Sequence, residues 1–204
     1  TVLLGESSVS HDFRLPAVCH ALINDIKFFQ QLVQIDRDLA EQARLQGCPC
    51  GGVLHRAHFP RKPRSCLREV LDDFSSRFSF CCDRCRRRVT PPSVRFLGRR
   101  VHLALAVVLL SDRGPTPATT RLAHTLAVST RTVQRWRQWW REQFPRTDLW
   151  QALCARFMPP VDLSALPGAL LARFTGMPTA AMLRLLRFLT PLTCPSQITL
   201  KEGR

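Results

Sequence analysis

The stretch GCPCGGVLHRAHFPRKPR, Gly47 to Arg64, places two cysteines one residue apart and follows them directly with a basic run. A second pair, Cys82 and Cys85 in the sequence CDRC, comes later in the chain. Two close cysteine pairs on two turns are how a chain builds a tetrahedral thiolate site for zinc. The sequence therefore predicts one Zn²⁺ ion, and its predicted ligands are Cys48, Cys50, Cys82 and Cys85.

The details of this predicted site leave alternatives open. The first pair is contracted to CxC, whereas the second has the usual CxxC spacing. Cys81 is a possible replacement for Cys82, and His55, His58 and Cys66 lie between the pairs as substitute ligands. The two glycines after the first pair let backbone N–H groups approach the sulfurs. Four protein thiolates leave no open coordination position, so we expect the ion to be structural.

The charge of the chain is strongly positive and unevenly spread. The formal net charge is +15 and the isoelectric point is about 11.0. Residues 55–100 contain thirteen Arg or Lys against four Asp or Glu, and residues 121–146 contain six against one. Clustered cations attract a phosphate backbone through counterion release. Because the arginine fork also fits phosphates and guanine edges, this pattern predicts nucleic-acid binding.

The basic residues next to the cysteines are predicted to form extended arms. Prolines at positions 60, 63, 91 and 92 oppose helix formation there. Extended segments rich in Arg and Pro commonly follow a phosphate backbone or enter a minor groove. The alternative is a solvated loop whose charges only aid solubility. The predicted phosphate-binding residues are Arg61, Lys62, Arg64, Arg86, Arg87, Arg88, Arg95, Arg99 and Arg100.

A second informative stretch is TTRLAHTLAVSTRTVQRWRQWWREQF, residues 119–144. It predicts a short helix, a break at Val128 and Ser129, and a second helix that Ser129 caps. Four apolar residues recur at helical spacing in the second helix and should face inward. They are Val133, Trp136, Trp140 and Phe144.

The opposite side of the second helix carries polar residues suited to reading bases: Arg131, Gln134, Arg135 and Gln138. This is the helix-turn-helix plan, which sets the second helix into the major groove. An ordinary amphipathic hairpin is the alternative. The turn has Ala127 or Val128 where glycine is common, and a positive φ there costs roughly 1 kcal/mol. The apolar run over residues 101–110 suits a buried first helix of a three-helix unit.

Two resemblances to known proteins follow from these motifs. The pattern LAxxLxVSxRTVxRW resembles the helix-turn-helix of transposases, resolvases and related bacterial regulators. Residues 28–64 and 78–104 look like a bacterial family of zinc-ribbon and helix-turn-helix proteins associated with mobile genetic elements. The order of the two motifs also resembles the N-terminal DNA-binding part of insertion-sequence transposases. These resemblances imply a mobile-element context, in transposition or DNA recombination.

The expected fold class is mainly α, with a small zinc ribbon and a three-helix unit between flanking helices. The expected segments are an N-terminal helical segment 1–47, a ribbon with basic arms 48–96, a helix-turn-helix domain 97–146 and a C-terminal helical segment 147–204. Three short helices separated by proline are expected in the last segment. The N-terminal segment carries an apolar stripe, which either packs on the ribbon or pairs with another subunit. We expect a protein partner or self-association through the first four of its residues. Its residues are Leu22, Ile26, Phe29, Val33 and Leu39.

The sequence also disfavours several classes of function. No stretch is long and apolar enough for a membrane span and no secretion signal is visible, so we expect a cytoplasmic, nucleoid-associated protein. We expect no enzyme, because no phosphate loop or nucleophile elbow appears and few carboxylates follow residue 146. The predicted function is that of a zinc-stabilised protein that binds double-stranded DNA. It would act as an accessory or targeting subunit of a transposition or recombination system, with a recombinase or transposase as partner. A transcription regulator and an RNA-binding ribonucleoprotein component are the alternatives.

Overall fold

The computed structural model describes residues 21–97, 102–112 and 117–194. Within these ranges the chain is largely helical and also contains two small antiparallel sheets. The prediction of a mainly α fold therefore holds only in broad terms. The helices are α1 (Ile26–Gln46), α2 (Ala104–Ser111), α3 (Pro117–Thr125), α4 (Thr130–Gln138), α5 (Asp148–Leu153), α6 (Gly168–Leu171) and α7 (Pro178–Phe188). Three short helices after residue 146 were expected, and α5, α6 and α7 confirm them.

The sheets lie between α1 and α2 in the sequence. The strands are β1 (Leu54–Arg56), β2 (Phe59–Pro60), β3 (Ser76–Arg77), β4 (Phe80–Cys82) and β5 (Arg88–Val89). One sheet has the order β1-β4-β5, and the other pairs β2 with β3. Leu54 pairs with Cys82, and His55 pairs with Cys81. Successive side chains of a strand point to opposite faces, so Cys81 and Cys82 face different surroundings.

Helix α1 begins after Asp25, whose carboxylate accepts from the backbone N–H of Phe28. It ends at Gly47, where φ is 70°, as the sequence predicted. Its apolar stripe packs inside the protein: Leu22, Phe29 and Val33 are all buried. The prediction that these three side chains offer a surface to a partner is therefore wrong. Ile26 of the same stripe is partly exposed.

Helix α2 is buried along its whole length, because every residue from Ala104 to Ser111 is apolar or small. It packs against α3, α4 and α7 and forms the centre of the molecule. Helix α3 ends in a turn with two characteristic bonds: Ala127 N–H donates to His124 O, and Val128 N–H donates to Ala123 O. These bonds define a Schellman motif, which places Ala127 at a positive φ of 51°.

The hydrophobic core continues from α4 into the C-terminal segment. After α4 the chain makes one π-helical turn, Trp139–Gln143. Trp140 and Phe144 are fully buried there, and Phe144 contacts Trp150 of α5 with ring centroids 5.3 Å apart. Trp150 stacks in turn on Phe157. The boundary expected at residue 146 thus does not separate two cores.

A smaller core lies beside the three-stranded sheet. It contains Leu54, Phe80, Cys48 and Cys82, together with Ala40 from α1. The main core is a separate cluster that joins α1, the α2–α4 unit and the C-terminal helices. No helix within residues 21–97, 102–112 and 117–194 has the length and apolarity needed to cross a bilayer.

A buried ion pair connects α1 to the segment after β5. The Nε atom of Arg95 donates to Asp36 Oδ2 at 2.7 Å, and both side chains are completely buried. The guanidinium of Arg95 also donates to the carbonyls of Asp73 and Ser76. Arg95 was predicted to bind phosphate, and this prediction is wrong, because all its donor groups are inside the protein. The second predicted arm, residues 85–100, is buried from Ser93 to Leu97, so that part of it offers no surface to phosphate.

Candidate functional site

The four cysteines predicted as ligands come together. Cys50 Sγ lies 3.4 Å from Cys48 Sγ and 3.4 Å from Cys82 Sγ, and Cys48 Sγ lies 3.5 Å from Cys85 Sγ. All four sulfurs lie within 4.8 Å of one another. In a tetrahedral site with metal–sulfur bonds of about 2.3 Å, neighbouring sulfurs lie about 3.8 Å apart. The spacing of these sulfurs therefore fits a single tetrahedral ion.

Two turns hold the sulfurs in place. In the first turn, Gly51 N–H donates to Cys48 O, and Gly51 has a φ of 75°, which favours glycine. In the second turn, Arg86 N–H donates to Cys82 O. A bond from Val53 N–H to the carboxylate of Asp83 connects the two turns. Backbone hydrogen bonds within each turn, and the bond from Val53 to Asp83 between the turns, thus hold the four sulfurs together.

Gly52 keeps the space beside the sulfurs open. A Cβ atom at this position would lie 2.5 Å from Cys82 Sγ and 2.6 Å from Asp83 Oδ1. Any side chain would push the second turn away from the first. The donor set is soft thiolate sulfur, and the residues present fit a thiophilic metal ion.

The thiols influence one another's ionisation. The backbone N–H of Gly52, followed by the neighbouring thiol of Cys82, lowers the pKa of Cys50 to about 6. The backbone N–H of Cys50 acts to lower the pKa of Cys48, but desolvation and the neighbouring thiols raise it to about 12. Cys48 therefore resists ionisation beside Cys50. A bound metal cation would favour ionisation of all four cysteines, because it binds their thiolate forms.

The substitute ligands considered from the sequence lie outside this group. Among the described residues, Cys48, Cys50, Cys82 and Cys85 form the one cluster that can hold a metal ion. Cys81 points to the other face of β4 and lies 3.5 Å from the carbonyl of Arg86. His58 bonds through Nδ1 to the backbone of Ser79. Burial raises the pKa of the Cys66 thiol to about 12, and that thiol packs against the main core.

The residues predicted to bind phosphate differ in exposure. Lys62, Arg64, Arg86 and Arg87 are exposed, whereas Arg61 is half-buried. The guanidinium of Arg61 lies 4.5 Å from the centre of the Phe59 ring. Arg88 is exposed, but its guanidinium donates to Ala57 O at 2.9 Å and to Ser79 Oγ at 3.3 Å. Arg99 and Arg100 lie outside the described residues.

Helix α4 places the predicted base-reading residues on its outer side. Val133 and Trp140 are buried, and Trp136 is half-buried. The predicted readers are all exposed: Arg131, Gln134, Arg135 and Gln138. Two of them make hydrogen bonds close by in the chain: Arg135 Nη2 donates to Thr132 Oγ1 within α4, and Gln138 Nε2 donates to Glu142 Oε2 in the π-helical turn. The cap is the predicted one, with Thr132 N–H donating to Ser129 Oγ at 3.3 Å.

Two features of the site escaped the sequence analysis. Arg84 is exposed and lies between the ligands of the second turn, and its Nη1 is 3.6 Å from the position of a Cβ at Gly51. Its place inside the CDRC motif could have revealed it. The second feature is His102, whose ring contacts Trp136 edge to face at 4.8 Å. No sequence signal connects His102 to α4.

No protein-family model, no curated protein and no solved structure matches this chain. The resemblances drawn from its motifs therefore stay predictions.

Proposed function

We propose that the protein binds double-stranded DNA through α4 and that Zn²⁺ bound by the four cysteines supports this function structurally. In this proposal α3, the turn at Ala127 and α4 act as a helix-turn-helix. The three-stranded sheet with its two cysteine turns acts as a zinc ribbon. The ion takes all four thiolates, so it has no open position for water or substrate.

One observation carries the proposal: α4 is anchored on one side and free on the other. Val133 and Trp140 fix the helix in the main core, while Arg131 and Arg135 face solvent from its first two turns. A helix of this kind can enter a major groove of about 12 Å width with its N-terminal residues against the bases. Arg suits guanine and Gln suits adenine, so Gln134 adds a second reading group.

The exposed cations near the cysteines support the same proposal. Lys62, Arg64, Arg86 and Arg87 carry positive charge on side chains that are free to meet phosphates. Phosphate contacts set affinity and position, whereas base contacts set sequence preference. The role of the bound DNA in transposition or recombination, with a recombinase or transposase as partner, rests on the resemblance of the sequence alone.

The test begins with selection of preferred duplexes from a random library by the zinc-loaded protein. Arg135→Ala should flatten the preference at one position and cost about 1–3 kcal/mol on the preferred duplex. Arg187→Ala is the matched control, because it removes the same charge from an exposed position on α7. If both variants keep the wild-type preference, α4 does not read DNA. If single-stranded RNA outcompetes the selected duplex at physiological salt, the RNA-binding alternative replaces the proposal.

A further inference from the structure

The basic arm, defined as residues 59–64, is anchored at both of its ends. At its start, Phe59 pairs with Arg77 in the β2–β3 sheet, and Arg61 N–H donates to Ser75 O at 2.6 Å. At its end, Arg64 forms an isolated parallel bridge with His102. The arm is therefore not a free tail. Its backbone follows a fixed path, and the side chains of Lys62 and Arg64 are exposed.

The end of the arm is connected to α4 through His102. Ser65 Oγ lies 3.4 Å from His102 Nδ1, and the ring of His102 contacts the ring of Trp136 at an interplanar angle of 79°. Ser65 is buried and has a φ of 63°, in the left-handed region that residues other than glycine rarely adopt. Such a conformation persists where the surroundings fix it. The direction in which the arm leaves this junction is thus set by the fold.

The junction lies on one particular flank of α4. Successive residues of an α-helix are turned by about 100°. Trp136 is therefore turned by about 100° from Arg135 in one direction, and Gln134 by about 100° in the other. Because His102 connects the end of the arm to Trp136, the arm ends on the flank next to Arg135 and away from Gln134.

The two backbones of a duplex form the two walls of the groove that a recognition helix enters. We infer that the arm and α4 form one continuous surface on a single duplex, with Lys62 and Arg64 binding the sugar–phosphate backbone on the Arg135 side only. The inference rests on the proposed DNA binding. It adds that the contact extends to one flank of the bases that α4 reads.

A hydroxyl-radical footprint on the selected duplex tests this inference. The variant is Lys62→Gln with Arg64→Gln, and the control is Arg156→Gln with Arg187→Gln, which removes two exposed charges from the C-terminal segment. The arm variant should lose protection on one flank, next to the base pair where Arg135→Ala relaxes the preference. Its central protection and base preference should stay. Its salt slope should fall by about two. The control should keep the full footprint.

The outcomes separate the inference from the proposed function. If Arg135→Ala leaves the preference unchanged, the proposed function fails whatever the arm does. If Arg135→Ala relaxes the preference but the arm variant keeps protection on both flanks, the inference alone is wrong. Equal loss of protection on both flanks also overturns it, because an arm fixed at Trp136 reaches one side.

Discussion

Arg95 donates to Asp36 inside the protein, whereas Arg86 and Arg87, in the same basic run, are exposed on the turn between β4 and β5. The guanidinium of Arg95 is surrounded by the rings of Phe74, Phe78 and Phe96, at 4.7–5.4 Å from their centres. Each of its three nitrogens donates a hydrogen bond, Nε to Asp36 and the other two to backbone carbonyls. Arginines of one basic run thus contribute to stability where they are buried and to surface charge where they are exposed.

Replacing Arg95 tests its structural role. Arg95→Met should lower the free energy of unfolding by about 3–5 kcal/mol, because it leaves the carboxylate of Asp36 buried without its partner. Urea unfolding measures this loss. Adding Asp36→Leu should recover part of it, since the double variant has no unpaired charge. Arg87→Met should change the stability by less than about 0.5 kcal/mol. A loss for Arg95→Met no larger than for Arg87→Met would contradict the assignment.

Replacing Gly52 tests whether the space beside the sulfurs is needed for metal binding. Gly52→Ala should weaken zinc binding by about tenfold or more, the loss typical of disturbed support around a metal site. The reason is the Cβ atom, which would lie 2.5 Å from Cys82 Sγ. Competition with a chromogenic chelator measures the affinity. Gly47→Ala is the control, because a Cβ there has nothing within 4 Å although its φ is 70°. Equal zinc affinity in both variants would show that Gly52 does not shape the site.

The turn between α3 and α4 decides how the two helices meet. It closes by the bonds that end at His124 and Ala123, and it puts Ala127 at a φ of 51°. Val128 then points into the core, and Ser129 caps α4. The strained residue Ala127 thus sets the angle between α3 and α4, the proposed recognition helix. The turn keeps its geometry without glycine because the two bonds and the burial of Val128 outweigh the strain.

Glycine at this position should relieve the strain. Ala127→Gly should raise the free energy of unfolding by up to about 1 kcal/mol, because a left-handed φ has no steric cost for glycine. Ala123→Gly, inside α3, should instead lower it by about 1 kcal/mol. Thermal unfolding monitored by circular dichroism compares the two. If Ala127→Gly destabilises as much as Ala123→Gly, the left-handed turn is absent in solution.

Two hydrophobic cores of unequal size make up the described part of the molecule. The small core beside the cysteines contains few apolar side chains, so we expect a metal ion bound by the four cysteines to supply much of its stability. The main core contains an aromatic series that runs from Trp140 through Phe144 to Trp150 and Phe157. All four tryptophans of the chain lie at positions 136–150, within or against this core.

Metal removal should therefore separate the two cores. Chelation, or acidification that protonates the thiolates, should release one zinc per chain and unfold the small core. The tryptophan emission should stay close to that of the loaded protein, because the main core has no metal ligand. DNA affinity should fall, since the basic turn between β4 and β5 loses its support when the small core unfolds. Cys48→Ser should reproduce this state. Complete loss of the native emission on chelation would show that the cores unfold together.

Features that depend on neighbouring residues could be predicted from the sequence alone. The two cysteine pairs were predicted from their spacing, with Cys81 left open as a replacement for Cys82, and the structure brings Cys48, Cys50, Cys82 and Cys85 together. Gly47 ends α1 and Ser129 caps α4 because both signals act within one helical turn. The inward face of α4 follows from the 3.6-residue period. DNA binding, the identity of the metal and the partner remain predictions from these patterns.

The roles of residues that look alike in the sequence depend on tertiary contacts. Cys82 rather than Cys81 joins the sulfur cluster because the pairing of β1 with β4 selects the face. Arg95 is buried, and the stripe on α1 is internal, because residues far away in the sequence cover them. The arm reaches α4 through His102. Local patterns specify period, caps and turns, but burial depends on contacts between distant segments, which no spacing within one segment encodes.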